Sequence, residues 1–282
     1  MAAARCRLTT LGDAGEVVHL VHQLSPIGFG AFKIGRNQGV KYPSVYDLPD
    51  MRTVEKLLNG LLDMGINYID TAPAYGVSEE RIGLSIAHRR REYLISTKVG
   101  EIFEDGVSTY DFSTAAVRKS VQRSLKRLRT DVLDCVFIHS DGDDVRILEQ
   151  TDVAPTLLAL RDEGCIREIG LSGYTAAGFR AALSFCGAIM VTYHQEDRSL
   201  EPLLTEAADR GVAVVVKKGL GSGRLKADEA IPFVFGSPAV TSLLIGTLDL
   251  KHMRENWRIA QRMRGDWARI HAASQASGKA KG

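Results

Sequence analysis

Residues 65–83 read GINYIDTAPAYGVSEERIG. Residues 66–69 form a short apolar run that reads as a buried strand, with Asp70 at its end. Thr71 to Gly76 make a turn, and Ser78, followed by Glu79, Glu80 and Arg81, opens a helix. An acid and a phenol, Asp70 and Tyr75, therefore share one strand-to-helix loop. The other parts of the chain matter to function according to the groups they bring near that pair.

The chain has 282 residues, 45% hydrophobic and 25% charged, with a net charge of +2. That length suits one large α/β barrel as well as two smaller domains. A balanced charge gives no reason to expect a nucleic-acid or membrane partner. Cys6, Cys135, Cys165 and Cys186 show no CxxC or metal-type spacing, and Cys135 sits in the apolar run 132–138. Reduced thiols and a cytoplasmic setting are expected. The N-terminus has no apolar signal region, and no window approaches the ~18 apolar residues a membrane span needs.

Residues 7–24 read as a β-hairpin with its turn at Gly12-Asp13-Ala14-Gly15. His19 and His22 would fall on opposite faces of the second arm, so they make no chelating pair. Beyond the hairpin the chain alternates. Strands are expected at 27–30, 66–69, 93–97, 132–138, 166–171, 188–193, 212–216 and 241–245. Helices are expected at 51–64, 78–87, 114–128, 154–162, 176–185, 202–210 and from 250 to about 264. Short apolar strands separated by amphipathic helices pair in parallel. Eight of them in this length predict an α/β fold, a (β/α)8 TIM barrel with an N-terminal β-hairpin. No linker divides residues 1–282, which read as one domain. Residues 265–282 are expected to be a C-terminal tail, frayed from Ala272 onward.

In such a barrel the active site lies at the carboxyl ends of the strands. Asp70, Lys98 and His139 stand at the ends of consecutive strands, and Tyr75 hangs from the second loop. Each has an ordinary explanation alone: a turn cap, a solvated strand end, a local hydrogen bond, loop packing. Together they make a proton-transfer site. An ammonium lowers the pKa of a neighbouring phenol, which is about 10 when free. Lys98 can do this for Tyr75, with Asp70 pairing the lysine and His139 donating to a carbonyl oxygen. Tyr75 then protonates that oxygen as a hydride reaches carbon.

The hydride needs a donor. Gly28-Phe29-Gly30 is no dinucleotide fingerprint, because Lys33 stands where the third glycine belongs. The loop Gly219-Leu220-Gly221-Ser222-Gly223-Arg224 follows strand seven, where barrels commonly hold phosphate, and its glycines let backbone amides approach an anion. Lys251, His252 and Arg254 form a second basic spot at the start of the last helix. A flexible connector and a plain helix face are the ordinary alternatives.

These residues resemble the aldo-keto reductase family. The opening stretch is similar to its G-x-N-x-x-D-T-A-x-x-Y-G-x-S-E signature, ISTKVG to its lysine strand and LDCVFIHS to its histidine strand. IREIGLSGY, LLIGTLDLKHMREN and the leading hairpin also match, so the likeness runs over residues 7–260. It implies a catalytic tetrad of Asp70, Tyr75, Lys98 and His139, and NADP (NAD is the alternative) lying across the barrel mouth. It implies further that Ser172 contacts the nicotinamide amide. Gly219, Leu220, Gly221, Ser222 and Arg224 would follow the pyrophosphate, Glu255 and Asn256 the adenine, and Lys251 with His252 the 2′-phosphate.

Four positions depart from the family pattern. Gly173 replaces an asparagine, Met190 a glutamine, Lys217 the aromatic that stacks on the nicotinamide, and His252 an arginine. Lys217 therefore belongs to the expected cofactor site as a charge in place of a flat ring. Residues 35–49, with Tyr42 and Tyr46, are long enough to wall the pocket, and the short stretch after the last helix leads us to expect an open site of broad specificity or a partner that supplies the missing wall. The reading is an NAD(P)-dependent reductase or dehydrogenase of small carbonyl compounds or sugars, near the aldose dehydrogenases, acting as a monomer or weak homo-oligomer. The alternatives are a nucleotide-binding regulatory protein of the same fold and, more remotely, a barrel hydrolase or lyase.

Overall fold

A computed structural model describes residue 20, residues 23–39 and residues 46–278, with side chains up to residue 265. The expected hairpin at 7–24 lies outside these apart from Leu20, Gln23 and Leu24, as do His19, His22 and Tyr42.

The elements follow in chain order as β1 (Ile27–Gly30), α1 (Met51–Asp63), β2 (Tyr68–Asp70), α2 (Ser78–Ile86), β3 (Leu94–Val99), β4 (Glu101–Glu104), β5 (Val107–Tyr110), α3 (Thr114–Leu128), β6 (Leu133–His139), α4 (Asp144–Gln150), α5 (Val153–Asp162) and β7 (Ile166–Ser172). Then come α6 (Ala176–Ala182), β8 (Ala188–Thr192), α7 (Glu201–Asp209), β9 (Ala213–Lys217), α8 (Ala227–Gly236), β10 (Val240–Ile245) and α9 (Leu250–Gly278). Eight parallel strands close into a barrel in the order β1-β10-β9-β8-β7-β6-β3-β2. This is the expected (β/α)8 architecture.

Two apolar layers hold it. Strand residues such as Ile69, Val136, Ile138, Leu171 and Val214 pack outward against helix residues such as Leu58, Val121, Leu157 and Leu204. Inside the barrel, Tyr68, Cys135, Phe137, Met190 and Val215 fill the centre, and Leu20 joins that cluster. The barrel is a packed core, so chemistry is confined to its rim. The helices start on side-chain caps where the sequence supplies them: Asp50 accepts from the Thr53 amide, and Ser113 from the Ala116 amide.

The structure departs from the sequence reading in four places. Residues 101–110 form an antiparallel hairpin, β4–β5, that was not expected. Its signal is Asp105-Gly106, both at positive φ (49° and 81°), the pair a tight hairpin turn favours. α4 and α8 are helices that no periodicity singled out: α4 has only seven residues, and α8 carries Pro232 inside a continuous apolar run rather than a one-sided stripe. α9 does not end near residue 264 but continues to Gly278. No proline interrupts that segment, and an isolated glycine, Gly265, costs a helix only about 1 kcal/mol. The expected tail at 265–282 is therefore helical through most of its length.

Candidate active site

Strand register assembles the proton-handling groups. Asp70 of β2 lies opposite Ser96 of β3. Lys98 is two residues further on, so it shares the inward face with Ser96. Asp70 consequently meets both. Lys98 Nζ donates to Asp70 Oδ1 at 2.8 Å, to Asp70 Oδ2 at 2.7 Å and to the Thr71 carbonyl at 2.8 Å. Ser96 Oγ donates to Asp70 Oδ1 at 2.7 Å. All three N–H bonds of the ammonium are in use, and both charged side chains are almost wholly buried. Desolvation opposes the lysine's charge, but Asp70 outweighs it and holds the Lys98 pKa above its ordinary value.

Tyr75 reaches over this pair. Lys98 Nζ lies 4.7 Å from the centre of its ring, and Phe32 packs edge-on at 5.0 Å. The ring keeps part of its area open to the cavity while the hydroxyl is deeply surrounded. The loop is held by the glycine at residue 35: a Cβ there would stand 2.2 Å from the Tyr75 carbonyl and 2.3 Å from the Ser78 amide nitrogen. The expected lowering of the phenol's pKa is not what results. Burial raises it, the Lys98 charge offsets only part of that, and the hydroxyl ends at about 12. Tyr75 is a protonated phenol at neutral pH.

His139 ends β6, beside Ser172 of β7. Its Nδ1 lies 2.8 Å from Glu101 Oε2, an approach that is short but not aligned as a hydrogen bond. Burial lowers the His139 pKa, and Lys98 and Lys217 add to this while Glu101 opposes it. The imidazole is therefore neutral near pH 7. A carboxylate facing Nδ1 favours the tautomer with its proton there, which leaves Nε2 as an acceptor. The expectation of a donor to a carbonyl oxygen thus requires the imidazolium or the other tautomer.

Glu101 escaped the sequence reading because it belongs to the unexpected hairpin. Burial pushes its pKa up, but His139, Ser108 and Arg36 together hold it at about 2. Ser108 Oγ donates to it at 2.6 Å, and Arg36 Nη1 lies 3.7 Å away. Arg36 is itself fixed by bonds to the Gln38 and Ala74 carbonyls and by the Phe103 ring, 3.2 Å from its guanidinium carbon. Tyr46 donates to the Arg36 carbonyl. Of residues 35–49, Arg36 and Gly39 line the cavity, beside Glu101, Ser108 and Tyr110 of the β4–β5 hairpin.

These groups line one cavity of about 390 Å³. Asp70, Tyr75, Lys98 and His139 are all in its lining, with Ser172, Met190, Lys217 and Ser222 on the arc formed by β7 to β9 and the loop that follows. Residues 26–237 match the Aldo/keto reductase family. The chain belongs to that family. It is 30% identical to L-galactose dehydrogenase of Arabidopsis thaliana over 240 residues, covering 78% of this chain and 67% of that one. It is 37% identical to D-arabinose 1-dehydrogenase of Saccharomyces cerevisiae over 133 residues, which is 45% of this chain and only 38% of the yeast protein. A crystal structure of a Pseudomonas aeruginosa protein assigned to the aldo-keto reductases superposes with a TM-score of 0.79 at 43% identity, covering 85% of this chain and 91% of that one.

Within this aldo/keto reductase the other expected cofactor residues are more dispersed. Gly219, Leu220, Gly221, Arg224, Lys251, His252, Glu255 and Asn256 do not line the cavity. Arg224 is exposed and 3.8 Å from Glu196, and His252 is exposed and 3.7 Å from Asp249. In the glycine-rich loop the amides of Gly221, Gly223, Arg224 and Leu225 donate to carbonyls of the loop itself. In this conformation those four are not presented to an anion.

The departure at Gly173 has a structural cause. The Asp144 carboxylate is buried, and Oδ2 accepts from the Tyr174 and Thr175 amides and the Thr175 hydroxyl. A Cβ on Gly173 would stand 2.9 Å from that oxygen. An asparagine at 173 and an aspartate at 144 cannot share the space without a shift. No group of three or more His, Cys, Asp or Glu side chains is placed to hold a metal among the described residues. Among those residues no helix is long and apolar enough to cross a membrane.

Proposed function

We propose that the protein interconverts aldehydes or ketones with alcohols, using a nicotinamide dinucleotide as hydride partner and Tyr75 as the general acid. The observation that carries this reading is the single cavity in which Tyr75 stands over the buried Lys98–Asp70 pair with His139 beside it. In the reducing direction the phenol, protonated at neutral pH, gives its proton to the carbonyl oxygen. Lys98 stabilises the phenolate that forms, and Asp70 keeps Lys98 charged. In the oxidising direction the neutral His139 accepts a hydrogen bond from the alcohol through Nε2 and aligns the hydroxyl for Tyr75.

The dinucleotide supplies a hydride when bound. The arc from β7 to β10 fits a nicotinamide. Ser172 is buried in the lining, its hydroxyl accepting from Lys217, and Gly30 and Gly246 bring no side chain into it. A Cβ at Gly30 would have nothing nearer than 3.9 Å and would fill that space. Lys218, also in the lining, supplies positive charge there for phosphate. NADP is the preferred cofactor, with NAD as the alternative, and the substrates are small carbonyl compounds or sugars. L-Galactose and D-arabinose dehydrogenases among the relatives support that substrate class.

The test is a fluorescence titration with NADPH and NADH, followed by turnover on an aldehyde and aldose panel. NADPH binding and aldehyde-dependent NADPH oxidation are expected. Tyr75→Phe should lower turnover at least a hundredfold while binding NADPH within about twofold of the parent, since acid–base groups contribute about 10²–10⁴. Absence of binding by either nucleotide refutes the reading, and a Tyr75→Phe protein of normal activity refutes the acid.

A further inference from the structure

Two of the three lysines that line the cavity, Lys98 and Lys217, differ in their surroundings. Lys98 has its three N–H bonds engaged by Asp70 and Thr71, so its nitrogen has no lone pair to offer. Lys217, at the end of β9, is different. Its Nζ donates to two neutral acceptors, Ser172 Oγ at 3.0 Å and the Gly173 carbonyl at 3.3 Å. It stands 4.8 Å from the centre of the Tyr174 ring. Among the described residues no carboxylate lies within 4 Å of it, and it lines the same cavity as Tyr75 and His139. The side chain keeps partial exposure although its amine is closely surrounded, and it lines the cavity, so a ligand there can reach it.

We propose that Lys217 is a carbonyl-capture site, whose amine forms an imine with aldehydes that enter the cavity. The nitrogen lone pair adds to the carbonyl carbon and the C=O π pair moves to oxygen. The carbinolamine then expels that oxygen as water together with the two protons that left nitrogen. One C–N double bond replaces one C–O double bond, and nothing is oxidised or reduced. The ligand class is an unhindered aldehyde, including the open-chain form of an aldose. This goes beyond the proposed hydride transfer and shares only the cavity with it.

The surroundings keep the amine reactive. Burial lowers its pKa, the neighbouring Lys218 and Lys98 charges lower it further, Asp144 and Asp70 partly oppose, and it comes to about 7. His139 faces the same charge and is neutral. An amine half unprotonated at neutral pH is a nucleophile, whereas an ordinary lysine, with a pKa near 10.4, is almost entirely ammonium.

The test uses the full chain, glyceraldehyde as the probe and cyanoborohydride to reduce the imine, with peptide mass spectrometry locating the added mass. At pH 7 and limiting aldehyde, Lys217 is expected to be labelled at least tenfold faster than any other lysine, Lys98 included. The labelling rate should rise with pH through about 7 and level above 8, and Lys217→Met should remove the dominant labelled peptide. Labelling spread over exposed lysines without enrichment at Lys217 overturns the proposal. So does a Lys217 rate that climbs steadily to pH 10. Added NADPH should protect Lys217 if the nicotinamide occupies that arc. Because nucleotide binding is read separately by fluorescence, failure to bind NADPH counts against the hydride-transfer reading and leaves the imine result to stand or fall alone.

Discussion

Asp70→Asn isolates the buried pair on which the proposed chemistry depends. The substitution keeps the shape of the side chain but replaces one acceptor oxygen with an NH₂ group that cannot accept. Lys98, whose side chain is 2% exposed, loses its charge partner and one of its two bonds to residue 70, keeping the Thr71 carbonyl. Removing one member of a buried ion pair costs about 3–5 kcal/mol, because the remaining charge stays desolvated. Against a total stability of about 5–15 kcal/mol this is a large share. It corresponds to a fall in melting temperature of roughly 10 °C. The assay is urea denaturation followed by circular dichroism for the parent, Asp70→Asn, Lys98→Met and the double variant. The double variant should recover most of the loss, with a coupling energy of about 2–3 kcal/mol. The pH dependence has a definite sign. Without Asp70 the folded-state pKa of Lys98 drops below its unfolded value, so the unfolded chain holds more protons between the two. The variant therefore gains stability as pH rises toward about 10. An Asp70→Asn protein within about 1 kcal/mol of the parent, unchanged between pH 6 and 9, refutes the description of this pair as a buried, mutually dependent charge unit.

Glu101→Gln tests the carboxylate that faces His139. The folded pKa is about 2 against an ordinary 4.5, so the group adds stability that is full above about 4.5 and is lost as pH falls toward 2. The variant should be less stable than the parent by about 2–3 kcal/mol at pH 7 and equal to it near pH 2, measured by denaturant titration at each pH. Alcohol oxidation requires the Tyr75 phenolate, and with a pKa of about 12 its rate should climb without a plateau from pH 7 to 10. A plateau below pH 9 in the steady-state profile counts against that assignment. Gly35→Ala would place a methyl 2.2 Å from the Tyr75 carbonyl, so the loop must move. A loss of about 1–3 kcal/mol by thermal melting is expected, as for other overpacked sites. Aldehyde turnover should fall with it while NADPH binding is kept.

Much of the barrel was legible because its signals are local. The barrel strands are three to seven residues long and mostly apolar, and each long helix carries a one-sided stripe. Those patterns follow from backbone geometry and water exclusion, whatever the rest of the fold does. The β4–β5 hairpin was equally legible in principle from Asp105-Gly106, but its strands are half-exposed and lack the apolar runs that marked the others. α4 is too short for periodicity to stand out, and α8 has a proline inside a run that is apolar all round. The extension of α9 to Gly278 escaped because its composition, small and polar, fits a tail as well as a helix.

The site divides along the same line. Sequence alone placed Asp70, Lys98 and His139 at or one residue from the ends of successive barrel strands, with Tyr75 on the loop beside them, because position along a strand is fixed by its own residues. Only the tertiary structure decided what charge those groups carry. Protonation depends on desolvation and on partners brought from distant segments: Glu101 beside His139, Asp70 beside Lys98, and the lysines around Lys217. The expectation that Lys98 would leave Tyr75 with a lowered pKa was correct about the ammonium and silent about burial. Burial is the larger effect, and no reading of neighbouring residues along the chain contains it.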